Sequence, residues 1–118
     1  MAYRAVIGIF TILVLVQAAL AGQFLNGQPG LKEAHQLLAV ALFPVLAVAL
    51  VVLAVVGRKS AGSALLGISV ALLLLTVAQT GLGFVGRERL GAASIHIPLG
   101  VALFGLGMYA LGLVKRPR

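Results

Sequence analysis

The chain alternates between long apolar runs and short polar segments. Four apolar runs occupy residues 5–25, 34–56, 63–85 and 91–114. A run of roughly 20 mostly apolar residues is long enough to cross a bilayer as an α-helix. The segments between the runs are short and rich in glycine or charge, as expected of turns between antiparallel neighbours. The pattern predicts an all-α fold, a transmembrane four-helix bundle that forms a single domain over residues 1–118.

Composition supports a membrane location. Of the 118 residues, 62% are hydrophobic and 9% are charged, whereas a soluble domain is about half apolar and about a quarter charged. The net charge of +7 would suggest nucleic-acid binding in a soluble protein. Here the cations cluster between apolar runs, which is typical of membrane topology signals. We therefore expect the lipid bilayer, and no nucleic acid, as the surroundings of this chain.

The basic residues are divided unequally between the two ends of the predicted bundle. One end carries six cations and no acid, and the other carries three cations and two acids. Since cytoplasmic loops are enriched in lysine and arginine, both termini are predicted to be cytoplasmic. The protein is interpreted as integral to a bacterial cytoplasmic membrane. The six cations are Arg4, Arg58, Lys59, Lys115, Arg116 and Arg118.

The two halves of the chain resemble each other. The nine residues from His35 to Phe43 match those from His96 to Phe104 at six positions, including both histidines and a Val-Ala-Leu-Phe run. Gln17 and Gln79 precede these histidines by 18 and 17 residues. Each half holds two spans, so both halves run in the same sense about an axis along the membrane normal. The bundle is thus predicted to consist of two parallel two-helix repeats.

His35 and His96 are the only histidines in the sequence. Each lies near the start of a helix, and the repeat places them at similar depth on helices that face each other. Two opposed imidazoles are the axial ligands of a bis-histidine haem site. We predict that His35 and His96 bind the iron of haem b. The absence of cysteine excludes covalent attachment of the c type.

Further residues on the same two helices are predicted to contact the haem. Ala39 and Gly100 each follow a histidine by four residues, on the same helical face. Their small side chains would leave room for a flat macrocycle. Phe43 and Phe104, one turn further along, would pack against its edge, although phenylalanines at such positions also serve as ordinary core. Gln17 and Gln79 are interpreted as structural residues that face the bundle interior.

Three cations precede the histidines and are candidates for binding the haem propionates. Arg87 and Arg89 lie in the polar segment before the helix of His96, and Lys32 lies just before His35. Carboxylates prefer such charged donors. The alternative interpretation is that these cations and both histidines are simply solvated at the membrane surface.

These residues resemble one half of a haem A synthase. In that family each half has four helices, with histidines on the second and fourth at a spacing of about sixty residues that His35 and His96 share. Val77–Gly83 followed by Ser94-Ile95-His96 is also similar. The resemblance implies a haem-binding four-helix protein, either a half-size member or a related small four-span protein of unassigned function. Lys32 stands where the catalytic half has a glutamate, so haem binding is implied more strongly than methyl oxidation.

The leading hypothesis is a b-type cytochrome that transfers electrons. One haem near one surface cannot carry electrons across the membrane alone, so a redox partner subunit, a quinone or a second copy of the chain is expected. No catalytic residue is predicted. The alternatives are a half-size, haem A synthase-like haem-modifying enzyme and a structural accessory subunit without cofactor. Transport is disfavoured because no charge inside a span marks an ion pathway.

Overall fold

The structure is a computed structural model that describes residues 1–57, 63–86 and 90–114, without the side chains of Leu90 and Ala93. The described residues form helices and turns and contain no strand, which confirms the predicted all-α class. Each helix is long and apolar enough to cross a membrane. The helices are α1 (Ala2–Leu25), α2 (Gly30–Val56), α3 (Ser63–Val85) and α4 (Leu90–Leu113).

The four helices form a ring in which each packs against two neighbours. Helices α1 and α3 both pack against α2 and against α4. The two helices that carry the histidines, α2 and α4, are therefore diagonal to each other. Helices α1 and α3 finish, and α2 and α4 start, at the same end of the bundle, which is called the histidine end below.

The core is narrow and lies along the centre of the bundle. The rings of Phe10 and Phe43 meet edge to face with centroids 5.2 Å apart. In the most apolar window of each helix, 22% of the residues or fewer are buried. Many other valine, leucine and isoleucine side chains are exposed on the outside of the bundle, where only lipid would accept them. The protein is thus an integral membrane protein. Its core consists of Ile7, Phe10, Val14, Phe43, Ala47, Leu50, Leu72, Leu103 and Ala110.

Helix α2 changes geometry one turn after His35. Residues Leu38–Leu42 form a π-helix, and the N–H of Phe43 donates to the carbonyl of Leu38, five residues earlier. Pro44 follows at once and has no N–H to continue an α-helical ladder. Such π segments occur frequently at functional sites. The part of α2 before the segment packs mainly on α1, whereas the part after it packs on both α1 and α3.

At the end opposite the histidines, polar contacts tie the helices together. The hydroxyl of Ser69 donates to the carbonyl of Leu65 at 2.7 Å, so the hydroxyl of Tyr3 is the donor in its 2.9 Å bond to Ser69. On the other side of α1, the guanidinium of Arg4 donates to the carbonyl of Val114 at 2.8 Å. This end of the bundle is closed by bonds from α1 to both α3 and α4.

Helices α1 and α4 approach closely at Gly107. A Cβ atom at this position would lie 2.5 Å from Oγ1 of Thr11. That hydroxyl cannot easily move away, because it donates to the carbonyl of Ile7 at 2.7 Å. Glycine is therefore required at position 107, whereas a Cβ at Gly105 would meet nothing within 4 Å.

Candidate functional site

A cavity of about 630 Å³ lies at the histidine end, and all four helices contribute to its lining. Its volume falls within the roughly 300–1,000 Å³ of sites that hold small molecules and cofactors. Val14, Phe43 and Leu103 of the core form its floor. The rest of the lining is mostly apolar. Its polar side chains are those of Gln17, Lys32, His35, Gln36, Thr76, Gln79, Thr80 and His96.

His35 and His96 face each other across this cavity. Their ring centroids are 6.4 Å apart, with the ring planes inclined by 62°. A metal–imidazole bond is about 2.0–2.1 Å long, and two such bonds plus two ring radii of roughly 1 Å each span about 6 Å. The separation of the rings therefore suits a metal atom bound between them.

Both imidazoles are held in the same way by the preceding helix. Nδ1 of His35 lies 3.1 Å from the backbone carbonyl oxygen of Gln17, and Nδ1 of His96 lies 3.0 Å from that of Gln79. A carbonyl oxygen can only accept, so each Nδ1 carries the proton. In a neutral ring Nε2 then keeps its lone pair. Histidines that bind metals commonly donate their other N–H to a backbone carbonyl in this way.

The side-chain amides of the two glutamines make different contacts. Nε2 of Gln17 donates to the backbone carbonyl of His35 at 3.0 Å. Nε2 of Gln79 instead lies 3.5 Å from Nε2 of the His96 ring. The amide oxygens of both glutamines are buried and have no hydrogen-bond partner among the described residues. The two halves of the site are thus alike in their backbone contacts and unlike in their amide contacts.

Two glycines allow close packing around His96. A Cβ at Gly83 would lie 3.2 Å from Cε1 of the His96 ring. A Cβ at Gly100 would lie 3.1 Å from Nε2 of Gln79. The sequence predicted that the small residue at Gly100 leaves room for a macrocycle. The structure places the Gln79 amide in that room.

The other residues predicted to contact the haem lie at the cavity or outside the described part of the chain. Ala39, Phe43 and Phe104 line the cavity. Arg87 and Arg89 lie outside the described residues. Lys32 is exposed and borders the cavity. The Phe24 ring, which the sequence did not single out, meets the His35 ring edge to face at 5.4 Å.

Gln17 and Gln79 line the cavity in the bundle interior, but the sequence did not predict their backbone contacts with the histidines. Their backbone carbonyls orient the two imidazoles. The signal was present in the spacing. In an antiparallel hairpin, residues equidistant from the turn lie at the same depth. The midpoint between each glutamine and its histidine falls in the segment that joins the two helices. This spacing therefore places each glutamine at the same depth in the bundle as its histidine.

Among the described residues, the lining of the cavity offers the two imidazoles and no carboxylate or thiolate as metal ligands. Across the described ranges, no group of three or more histidine, cysteine, aspartate or glutamate side chains could hold a metal ion. Two imidazoles are a poor set for a bare ion, which needs more protein ligands. They suit a metal that brings its own equatorial ligands, as haem iron does.

Comparisons of the chain with models of protein families, with curated proteins and with solved structures find no match. The resemblance to one half of a haem A synthase therefore rests on the sequence residues quoted above. The function has to be argued from the site itself.

Proposed function

We propose that the chain is a membrane b-type cytochrome that holds one haem b between His35 and His96. The observation that supports this best is the pair of imidazoles 6.4 Å apart across the cavity. Each ring has its Nδ1 on a backbone carbonyl, which leaves the Nε2 lone pair for iron. When bound, haem supplies one-electron oxidation and reduction.

The chain's own residues would orient and surround the group. The carbonyls of Gln17 and Gln79 fix the tautomer and direction of the two rings. The apolar lining, to which Phe43 and Phe104 contribute, excludes water from the site. A dry, apolar surrounding is one of the protein features that sets a haem's reduction potential.

Cations at the histidine end would pair with the two propionates. Lys32 borders the cavity and is exposed, so its ammonium group can reach a carboxylate at the membrane surface. We propose the same role for Arg87 and Arg89, which precede α4 in the sequence.

Electron transfer is the activity that this arrangement favours. If His35 and His96 both held the iron, a substrate could react there only by displacing one of them. The described lining also contains no carboxylate that would act as a proton donor or acceptor. The electron partner would be a quinone, a redox subunit or a second copy of the chain, because the site lies near one surface.

Absorption spectroscopy of the purified protein tests the proposal. We expect a reduced-minus-oxidised difference with b-type bands and haem b in a pyridine haemochrome assay. His35→Ala and His96→Ala should each lose or weaken haem binding, whereas Gln28→Ala, at an exposed turn residue, should keep it. A folded wild-type protein that takes up no haem, even when haem is added, would refute the proposal.

We also propose that both termini are cytoplasmic and that the histidine end faces outward, in a bacterial cytoplasmic membrane. The support is the excess of cations at the termini. The chain has no native cysteine, so single cysteines can be labelled without background. In intact cells a membrane-impermeant maleimide should label Gln28→Cys but not Ala2→Cys. The reverse pattern would show the opposite orientation.

A further inference from the structure

The two halves of the site differ in one respect that affects how strongly each histidine would bind iron. At His35, the Gln17 amide is engaged with the backbone and does not contact the ring nitrogens. At His96, the Gln79 amide lies 3.5 Å from Nε2, the nitrogen that would bind iron. Among the described residues, therefore, only His96 has a side-chain amide that competes for the lone pair of its Nε2.

The direction of this contact follows from the hydrogen bond on the other side of the ring. Nδ1 of His96 donates to the Gln79 carbonyl, so Nε2 is the acceptor in the neutral ring. The Gln79 amide N–H is then the donor. Exchanging the amide oxygen and nitrogen would set two acceptors against each other, so the amide orientation is determined. At 3.5 Å the bond is long and weak, as expected of a contact that can be exchanged.

The residue four after each histidine helps to explain the asymmetry. Gly100 allows the close approach of the Gln79 amide, because a Cβ there would lie 3.1 Å from its Nε2. The equivalent position in the first half is Ala39, which carries a Cβ. The second half is thus built to admit an amide beside its imidazole.

We propose that Gln79 is a positioning residue that makes His96 the exchangeable ligand of the haem, with His35 as the permanent one. This rests on the proposed haem site. A small neutral ligand such as carbon monoxide then binds ferrous haem on the His96 side. The iron–Nε2 bond of His96 breaks, the iron–carbon bond forms, and the freed lone pair accepts the Gln79 N–H. No electron or proton is transferred in this exchange.

Carbon monoxide titration of the ferrous protein, followed by absorbance, tests the inference. Gln79→Leu removes the competitor and should raise the half-saturating concentration about 2- to 12-fold, the equivalent of one hydrogen bond. Gln28→Ala is the control, since Gln28 is an exposed turn residue outside the cavity, and it should leave the value unchanged. Gly100→Ala, which crowds the Gln79 amide, should act in the same direction as Gln79→Leu.

Two further measurements separate this inference from a general effect on folding. His96→Ala should retain more haem than His35→Ala. In haem-free protein, the ¹⁵N resonance of His96 Nε2 should shift in Gln79→Leu and stay unchanged in Gln28→Ala.

Different results would overturn the haem site and the role of Gln79. Wild-type protein without b-type bands would overturn the haem site itself. Haem that is present but binds no carbon monoxide, or binds it equally in Gln79→Leu and Gln28→Ala, would overturn only the role of Gln79.

Discussion

Substituting Gly83 by alanine would test the contact between α3 and the His96 ring. The added Cβ would lie 3.2 Å from Cε1, 3.6 Å from Nδ1 and 3.9 Å from Nε2 of that ring. Ordinary contacts begin at 3.4 Å, so the ring has to move by a few tenths of an ångström. The movement acts directly on the 3.0 Å bond between Nδ1 and the Gln79 carbonyl.

The magnitude follows from two opposing effects. Overpacking a close-fitted site costs about 1–3 kcal/mol, while alanine in place of glycine within a helix stabilises the fold by roughly 0.5–1 kcal/mol. Global stability should therefore fall by about 0–2.5 kcal/mol. Haem affinity should fall by about 10- to 100-fold, because perturbing the group that orients a metal ligand has effects of that size.

The assay is a haem titration followed by absorbance, alongside thermal unfolding in detergent. Gly81→Ala is the matched control, because it lies on the same helix and its Cβ would meet nothing within 4 Å. Gly81→Ala gains the same helix propensity but adds no contact with the His96 ring. If Gly83→Ala bound haem as tightly as Gly81→Ala, the arrangement of His96 against α3 would be refuted as the haem-binding geometry.

Two more predictions concern stability at the opposite end. Gly107→Ala should lower the free energy of unfolding by about 1–3 kcal/mol, since overpacking is destabilising and the Cβ would lie 2.5 Å from Oγ1 of Thr11. A Cβ at Gly105 would meet nothing within 4 Å, so Gly105→Ala should be neutral or stabilising in the same denaturation experiment. Equal losses of stability in both variants would contradict the packing of α1 on α4. Arg4→Gln should cost about 0.3–1.5 kcal/mol, because a cation bonded to the last carbonyls of a helix is lost. An unchanged melting temperature at low salt would argue against this capping of α4 at Val114.

The sequence was sufficient to predict the helical class, because length and apolar content alone decide what can cross a bilayer. Four apolar runs separated by short polar segments left little freedom for another architecture. The repeat also placed His35 and His96 opposite each other, since equivalent positions on two parallel helices lie at equal depth. The structure has the two rings facing across the cavity.

The details of the site depended on packing that the sequence pattern does not specify. Whether the Gln79 amide turns toward the imidazole or toward the backbone depends on a few tenths of an ångström at Gly100. The π-helix at Leu38–Leu42 arises from how α2 accommodates Pro44 among its neighbours. A proline disturbs any helix that it interrupts, but the form of this disturbance is a property of the packed bundle.

Much of the core lies below the cavity, and this has a consequence for biogenesis. Phe10, Leu50 and Leu72 are fully buried and do not line the cavity, and hydrogen bonds from α1 close the opposite end. The helices can therefore insert and assemble first. Loading of the proposed haem would then be a separate, later event at a preformed opening. A cell short of haem would accumulate inserted apoprotein instead of degrading an unfolded chain.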